Sequence, residues 1–195
     1  AKHTLIFDPI EAGTFIVLGA VTPGKITVKN VNLEYLDLFL EKLKEIGVNF
    51  EKGENSVTVS YSPNLNPIKV QALPYPGFPT DMQAQFMALM SVAEGTSIIR
   101  ETIFENRFMH VAELRRMGAD IETEGGVATV KGISRLKGAD VMATDLRASA
   151  SLIVAALAAE GKTNIHRLYH LDRGYERIER KLRGLGAAVE RQRDD

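Results

Sequence analysis

Between Leu36 and Ile46 the apolar residues Leu36, Phe39, Leu40, Leu43 and Ile46 recur at three- and four-residue spacing, with Glu41, Lys42, Lys44 and Glu45 between them. That spacing puts an apolar stripe on one side of a helix and charge on the other. Comparable apolar runs end shortly before Gly24, Gly47, Gly95, Gly118, Gly161 and Gly186, where glycine is the residue best suited to a left-handed helix C-cap. Short β-like runs alternate with these helices. They include Lys25 to Val28, Ser56 to Tyr61, Ile68 to Ala72, Thr96 to Thr102, Val127 to Val130, Asp140 to Ala143 and Lys162 to Arg167.

The order of these elements repeats three times. Glu11, Asp81 and Asp145 each precede an apolar helix; each helix is followed by a Gly-containing turn, a strand, a second helix and a segment such as Val48 to Glu51, Ala119 to Glu122 or Ala187 to Glu190. The repeats span about 8–75, 76–143 and 144–195, longer than ordinary solenoid periods. The pattern predicts an α/β (α+β) fold in which 1–195 form a single domain, a pseudo-threefold assembly of βαβαββ units. The third unit is incomplete, for no closing strand pair follows Glu190. His3 to Phe7 reads as a leading strand that could replace one missing element, and an unpaired sheet edge would invite association.

Lys and Arg total 24 against 25 Asp and Glu, so the chain offers no long-range field for nucleic acid or anionic lipid. Its longest apolar stretch, Ala148 to Ala159, is about half the roughly 20 residues of a membrane span. A cytoplasmic location without membrane or nucleic-acid partners is expected. There is no cysteine, which removes disulfides, thiolate nucleophiles and thiolate zinc sites within this chain. The four histidines, His3, His110, His166 and His170, lack metal-ligand spacing.

Three residue sets carry candidate chemistry. Pro76 to Gln83 is a rigid turn that delivers Asp81 to the start of a helix. Thr80 as N-cap and Asp81 beside the helix dipole would explain it without function; otherwise Asp81 is a carboxylate placed to accept a proton from a hydroxyl. The equivalent junction contains Asp145 and Arg147. An arginine at a helix start is electrostatically unfavourable, so it needs an acidic partner, an anionic ligand or solvent. Finally, Phe104, Glu105 and Arg107 in one loop, and Arg173 in another, lie where a strand hands over to a helix. Arg107 follows Gly95 by twelve residues and Arg173 follows Gly161 by twelve. With Arg147 they would suit a phosphate or carboxylate through bidentate contacts, or they are solvated surface arginines.

The strings FPTDMQAQF, ETIFENRFMHVAELRRMGA, VMATDLRASASL and LYHLDRGYERIERKLRGLGA resemble the UDP-N-acetylglucosamine enolpyruvyl transferase family, in order and over essentially the whole chain. The resemblance implies the second of two threefold domains, with substrates in the cleft between them. It implies that Asp81 is a catalytic base contacting the sugar hydroxyl. Ile103 would contact the nucleotide sugar, with Phe104, Glu105 and Arg107 beside it. Asp145 and Arg147 would lie near the reacting centre, and Arg173 would bind phosphoenolpyruvate. The implied partners are UDP-N-acetylglucosamine, phosphoenolpyruvate and the enzyme's N-terminal domain, whose mobile loop carries a Cys or Asp that protonates phosphoenolpyruvate. No metal or organic cofactor is implied.

On this reading the chain is one half of an enzyme that transfers the enolpyruvyl group, releases phosphate and begins peptidoglycan precursor synthesis. Alone it should lack turnover. A stand-alone binding or scaffolding domain of the same fold is the competing expectation.

Overall fold

The computed structural model describes residues 2–192. Its helices are α1 (Pro9–Val21), α2 (Asp37–Glu45), α3 (Gln83–Met90), α4 (His110–Arg116), α5 (Leu146–Ala158) and α6 (Ile178–Gly184). The strands are β1 (Lys25–Lys29), β2 (Asn49–Lys52), β3 (Ser56–Ser60), β4 (Lys69–Gln71), β5 (Thr96–Arg100), β6 (Asp120–Glu124), β7 (Val127–Lys131), β8 (Asp140–Met142) and β9 (Asn164–His166).

Helices α1, α3 and α5 are apolar around most of their circumference, which suits an interior position. Every residue of α3 is buried, as are Ala12–Val21 of α1 and Ala148–Ala155 of α5. Helix α3 packs along α5, and α1 touches both. The small residues Ala148, Ser149, Ala150 and Ser151 keep α5 slim; the Ser151 hydroxyl donates back to the Ala148 carbonyl at 2.7 Å, so burying it leaves no donor unmet. By contrast α2 buries only Phe39, Leu40 and Leu43, and its charged residues face outward.

Around this interior lie three sheets of unequal size. One has the order β4-β5-β7-β6, with β4 parallel to β5 and the other pairings antiparallel. A second, β1-β3-β2, reproduces β5-β7-β6; the third, the parallel pair β8-β9, reproduces β4-β5. Strands β4 and β8 hydrogen-bond into the sheet of the segment that follows them. Among the described residues the β1 sheet has no counterpart of β4, and the β9 sheet has none of β6 and β7.

One expected strand is not formed. His3 to Phe7 runs without a ladder, with Leu5 86% and Ile6 64% exposed, and only Phe7 reaches inward, its ring 6.1 Å from that of Tyr35. Ala187 to Glu190 also stays out of any sheet, because no neighbouring strand is there to receive it; the Val189 carbonyl accepts from Arg183 Nε at 2.7 Å instead. The glycines divide as well. Gly47, Gly118 and Gly186 directly follow the C-caps of α2, α4 and α6 with φ of 89°, 92° and 95°. Gly24, Gly95 and Gly161 also have positive φ, but they lie beyond the helix ends, in the turns into the next strands. The acid capping α1 is Asp8, which accepts from the amides of Ile10 and Glu11, whereas Glu11 pairs with Lys181 at 2.5 Å.

An aromatic cluster links this core to the candidate site. Phe86 of α3 lies edge-on to Phe78, with ring centroids 5.1 Å apart, and to Phe39 of α2 at 6.4 Å; none of the three is more than 2% exposed. Removing Phe86 deletes two of the three ring contacts in the cluster. Phe86→Ala should cost about 3–5 kcal/mol in denaturant unfolding, and a loss below about 1 kcal/mol would mean that the cluster is not the rigid support it looks to be.

Candidate active site

Phe78 anchors the turn that carries Asp81. Its side chain is sunk in the core and its carbonyl accepts from the Leu73 amide at 3.0 Å, so the following residues start from a fixed point. Pro79 then leads into a 3-10 turn, Thr80–Met82, and Met82 is buried. With residues on both sides of it held, Asp81 has little freedom of position.

Two guanidinium groups meet its carboxylate. Arg107 Nη2 donates to one oxygen at 2.5 Å and Arg147 Nη2 to the other at 3.0 Å. Asp81 is about one-third exposed, while the two arginine side chains are 22% and 19% exposed. Three segments distant in sequence therefore converge on one anion: the turn before α3, the loop between β5 and α4, and the first turn of α5. Burial opposes ionisation of Asp81, but the bonds from Arg147 and Arg107, together with their positive charge, outweigh it and hold the carboxyl below its ordinary 3.8.

Further bonds position the arginines. Arg107 Nη1 donates to the Thr80 hydroxyl at 2.9 Å, and the Arg107 guanidinium lies over the Phe104 ring, 4.8 Å from its centroid. Arg147 extends from α5, whose N-cap is Asp145; the Asp145 carboxylate accepts from the amides of Arg147 and Ala148 at 2.8 and 2.9 Å. The capping explanation thus holds for Asp145 and fails for Thr80. Residue 79 precedes the 3-10 turn without a side-chain cap, and the Thr80 hydroxyl donates instead to Glu101 at 2.6 Å. The acidic partner that Arg147 requires is Asp81.

The other expected site residues are arranged around this group. Ile103 is half-buried and Phe104 and Glu105 are exposed, all in the loop that carries Arg107. Arg173 is in the 3-10 segment Leu168–Arg173, which packs against α5, and Gly174 lies against the side chain of Leu146, the neighbour of Arg147. Arg173 is exposed, and among the described residues it makes no ion pair. A cavity of about 370 Å³ lined by residues including Phe7, Asn32 and Tyr35 borders the β1 sheet and shares no residue with the arginine group. No three His, Asp or Glu among the described residues are grouped as a metal ion would require, and no helix there is long and apolar enough to cross a membrane.

Sequence reasoning missed Glu101 and His110. Glu101 is only 6% exposed, and its single warning in the sequence is a charge at the end of an apolar strand. His110, the first residue of α4, is 2% exposed, and its Nε2 has no partner among the described residues. Burial pushes its imidazole down from 6.5 to about 4, with the Asp145 charge opposing and that of Arg107 adding. The folded chain therefore keeps His110 neutral where the unfolded chain would protonate it.

The chain is similar to known proteins over most of its length. Residues 1–182 match EPSP synthase (3-phosphoshikimate 1-carboxyvinyltransferase) as a protein family. The UDP-N-acetylglucosamine 1-carboxyvinyltransferase of Geobacter metallireducens is 59% identical over 97% of this chain, and that of Thermodesulfovibrio yellowstonii 55% identical over 97%. The chain spans 45% and 46% of those relatives' lengths, about half. Among solved structures, the enolpyruvyl transferase NikO from Streptomyces tendae matches 95% of the chain and 44% of its own, at 32% identity and a TM-score of 0.87. An EPSP synthase from Acinetobacter baumannii shares the fold at 21% identity and a TM-score of 0.73.

The His110 environment predicts a pH dependence. Between pH 6.5 and about 4 the unfolded state binds a proton that the folded state refuses, so stability present above 6.5 is lost on acidification, by roughly 3 kcal/mol in total, and levels off below 4. His110→Gln should flatten this part of the curve in urea unfolding, and an unchanged slope would show that another group titrates there. From the fold, the converging residues and the two sets of relatives, the chain belongs to the EPSP synthase family of carboxyvinyltransferases.

Proposed function

We propose that this chain is the C-terminal half of an enzyme that transfers the enolpyruvyl group of phosphoenolpyruvate to a hydroxyl of UDP-N-acetylglucosamine and releases phosphate. The carrying observation is the convergence of Arg107 and Arg147 on Asp81. Guanidinium groups suit a phosphate or carboxylate, and a carboxylate among them suits removal of a proton from a hydroxyl. The names of the relatives support the choice of sugar nucleotide. The whole chain, 1–195, acts as one domain built of repeats at about 8–75, 76–143 and 144–195, and it works in the cytoplasm as the first step of peptidoglycan precursor synthesis.

Asp81 cannot serve as an effective base while two cations hold its oxygens, since they depress its affinity for a proton. An arriving anion changes this. The phosphate or carboxylate of phosphoenolpyruvate competes for Arg107 and Arg147, and Arg173, exposed beside α5, adds a third guanidinium. As charge moves from Asp81 to the substrate, the carboxylate regains basicity and turns to the sugar hydroxyl. Ile103, Phe104 and Glu105 border the nucleotide sugar, and Asp145 keeps the start of α5 capped so that Arg147 points correctly. The hydroxyl oxygen then bonds to carbon two of phosphoenolpyruvate while its methylene carbon is protonated from the other half of the enzyme. The resulting tetrahedral ketal loses a proton from its new methyl group and expels phosphate, which restores the carbon–carbon double bond and leaves the enol ether of the sugar.

Asp81, Arg107 and Arg147 remain partly exposed, which suits one wall of a site that a second half would cover. Phosphate release should be undetectable with the chain alone and appear when the separately produced N-terminal half is added; absence in both favours the binding-domain reading. In the two-domain enzyme Asp81→Asn should lower kcat at least about 100-fold. Near-normal turnover in that variant would remove Asp81 as the base.

A further inference from the structure

Glu101 has no direct cationic partner among the described residues, although it is 6% exposed. Its Oε1 accepts from the amides of Ile103 at 2.7 Å and Phe104 at 3.2 Å, and its Oε2 accepts from the Thr80 hydroxyl at 2.6 Å. Burying a carboxylate on neutral donors alone is costly, and a fold that needed only hydrogen bonds here could use an uncharged side chain. We propose that Glu101 is a positioning residue, which sets Arg107 and the 103–104 loop in the geometry that receives substrate. The proposal rests on the site reading above and adds a residue that acts through Arg107.

The direction of the bonds carries the argument. An ionised carboxylate only accepts, so Thr80 must spend its one proton on Glu101. Its lone pairs are then left for Arg107 Nη1, at 2.9 Å, and a guanidinium only donates. With an ionised carboxylate at 101, this is the assignment that satisfies both contacts. The remaining donors of Arg107 are thereby aimed at Asp81, and the line of bonds runs from Glu101 through Thr80 and Arg107 to Asp81 and Arg147.

The other oxygen acts on the loop. By taking the Ile103 and Phe104 amides, Glu101 turns the chain away from β5 and brings the Phe104 ring under the Arg107 guanidinium. The backbone behind it is held closely: the Glu101 amide donates to the Gly126 carbonyl at 2.8 Å, and a Cβ on Gly126 would lie 2.7 Å from the Glu101 carbonyl oxygen. One carboxylate thus fixes both the donors of Arg107 and the aromatic plate beneath it. Glutamine would keep the shape, but its amide would donate toward Thr80, so the hydroxyl proton loses its acceptor and the hydroxyl is no longer oriented toward Arg107.

The test uses two readouts. In the 195-residue chain, NMR should show a slowly rotating Arg107 guanidinium that is lost in Glu101→Gln and Thr80→Val and kept in Thr80→Ser. In the two-domain enzyme, Glu101→Gln should raise KM for phosphoenolpyruvate about tenfold, the equivalent of about 1.4 kcal/mol, and add nothing further in an Arg107→Ala background. An unchanged Arg107 signal in Glu101→Gln, or a KM effect that persists in full without Arg107, overturns the proposal. If Arg107→Ala itself leaves turnover unaltered while the NMR result holds, the positioning role stands and the site reading falls.

Discussion

The arrangement of this protein's candidate site depends on one shared anion. Asp81 is bonded by guanidinium groups from two other parts of the chain, so the turn before α3, the loop after β5 and the start of α5 are registered against one another. An exposed ion pair contributes little to stability, because solvent screens it and long side chains lose entropy in forming it. Here the carboxylate is only about one-third exposed and both arginines are more buried still, and their positions are set by the scaffold beneath. The value of the contact is chemical. It keeps two cations close together, which would otherwise repel, and it lowers the proton affinity of the carboxylate between them.

That scaffold is a helical interior with sheets around it. Because α3 packs along α5 and α1 touches both, the loops at their N-terminal ends are tied to one interior. Phe78, sunk beside Phe39 and Phe86, fixes the turn to Asp81, and Asp145 as N-cap fixes the helix that carries Arg147. The unequal sheets have the opposite character. β1 and β9 each have one neighbour fewer than β5, and these edges are where further chain would extend the pattern.

Much of this was legible in the sequence, for reasons that differ by element. The stripe of Leu36, Phe39, Leu40, Leu43 and Ile46 is a local signal, and all five residues are buried. The mixed α/β fold follows from repeated order, and the enolpyruvyl transferase structures share it. The strand expected for His3 to Phe7 does not form because composition shows a tendency, whereas a ladder requires a partner. The convergence of Asp81, Arg107 and Arg147 was legible only as three separate oddities and as a family resemblance. Thr80 was misread because a threonine before a helix usually caps it, and here a buried carboxylate 21 residues away takes its proton. Glu101 and His110 gave almost no signal, since burial of a polar side chain is a property of the packed fold.

We propose that a substrate anion takes over the guanidinium groups that hold Asp81 in the free protein. The most direct measurement is the titration of the Asp81 carboxyl by carbon NMR in the assembled two-domain enzyme, with and without saturating phosphoenolpyruvate. The carboxyl should titrate below 3.8 without ligand and clearly higher when phosphoenolpyruvate is bound. A value that stays depressed while phosphoenolpyruvate is bound would contradict the proposal.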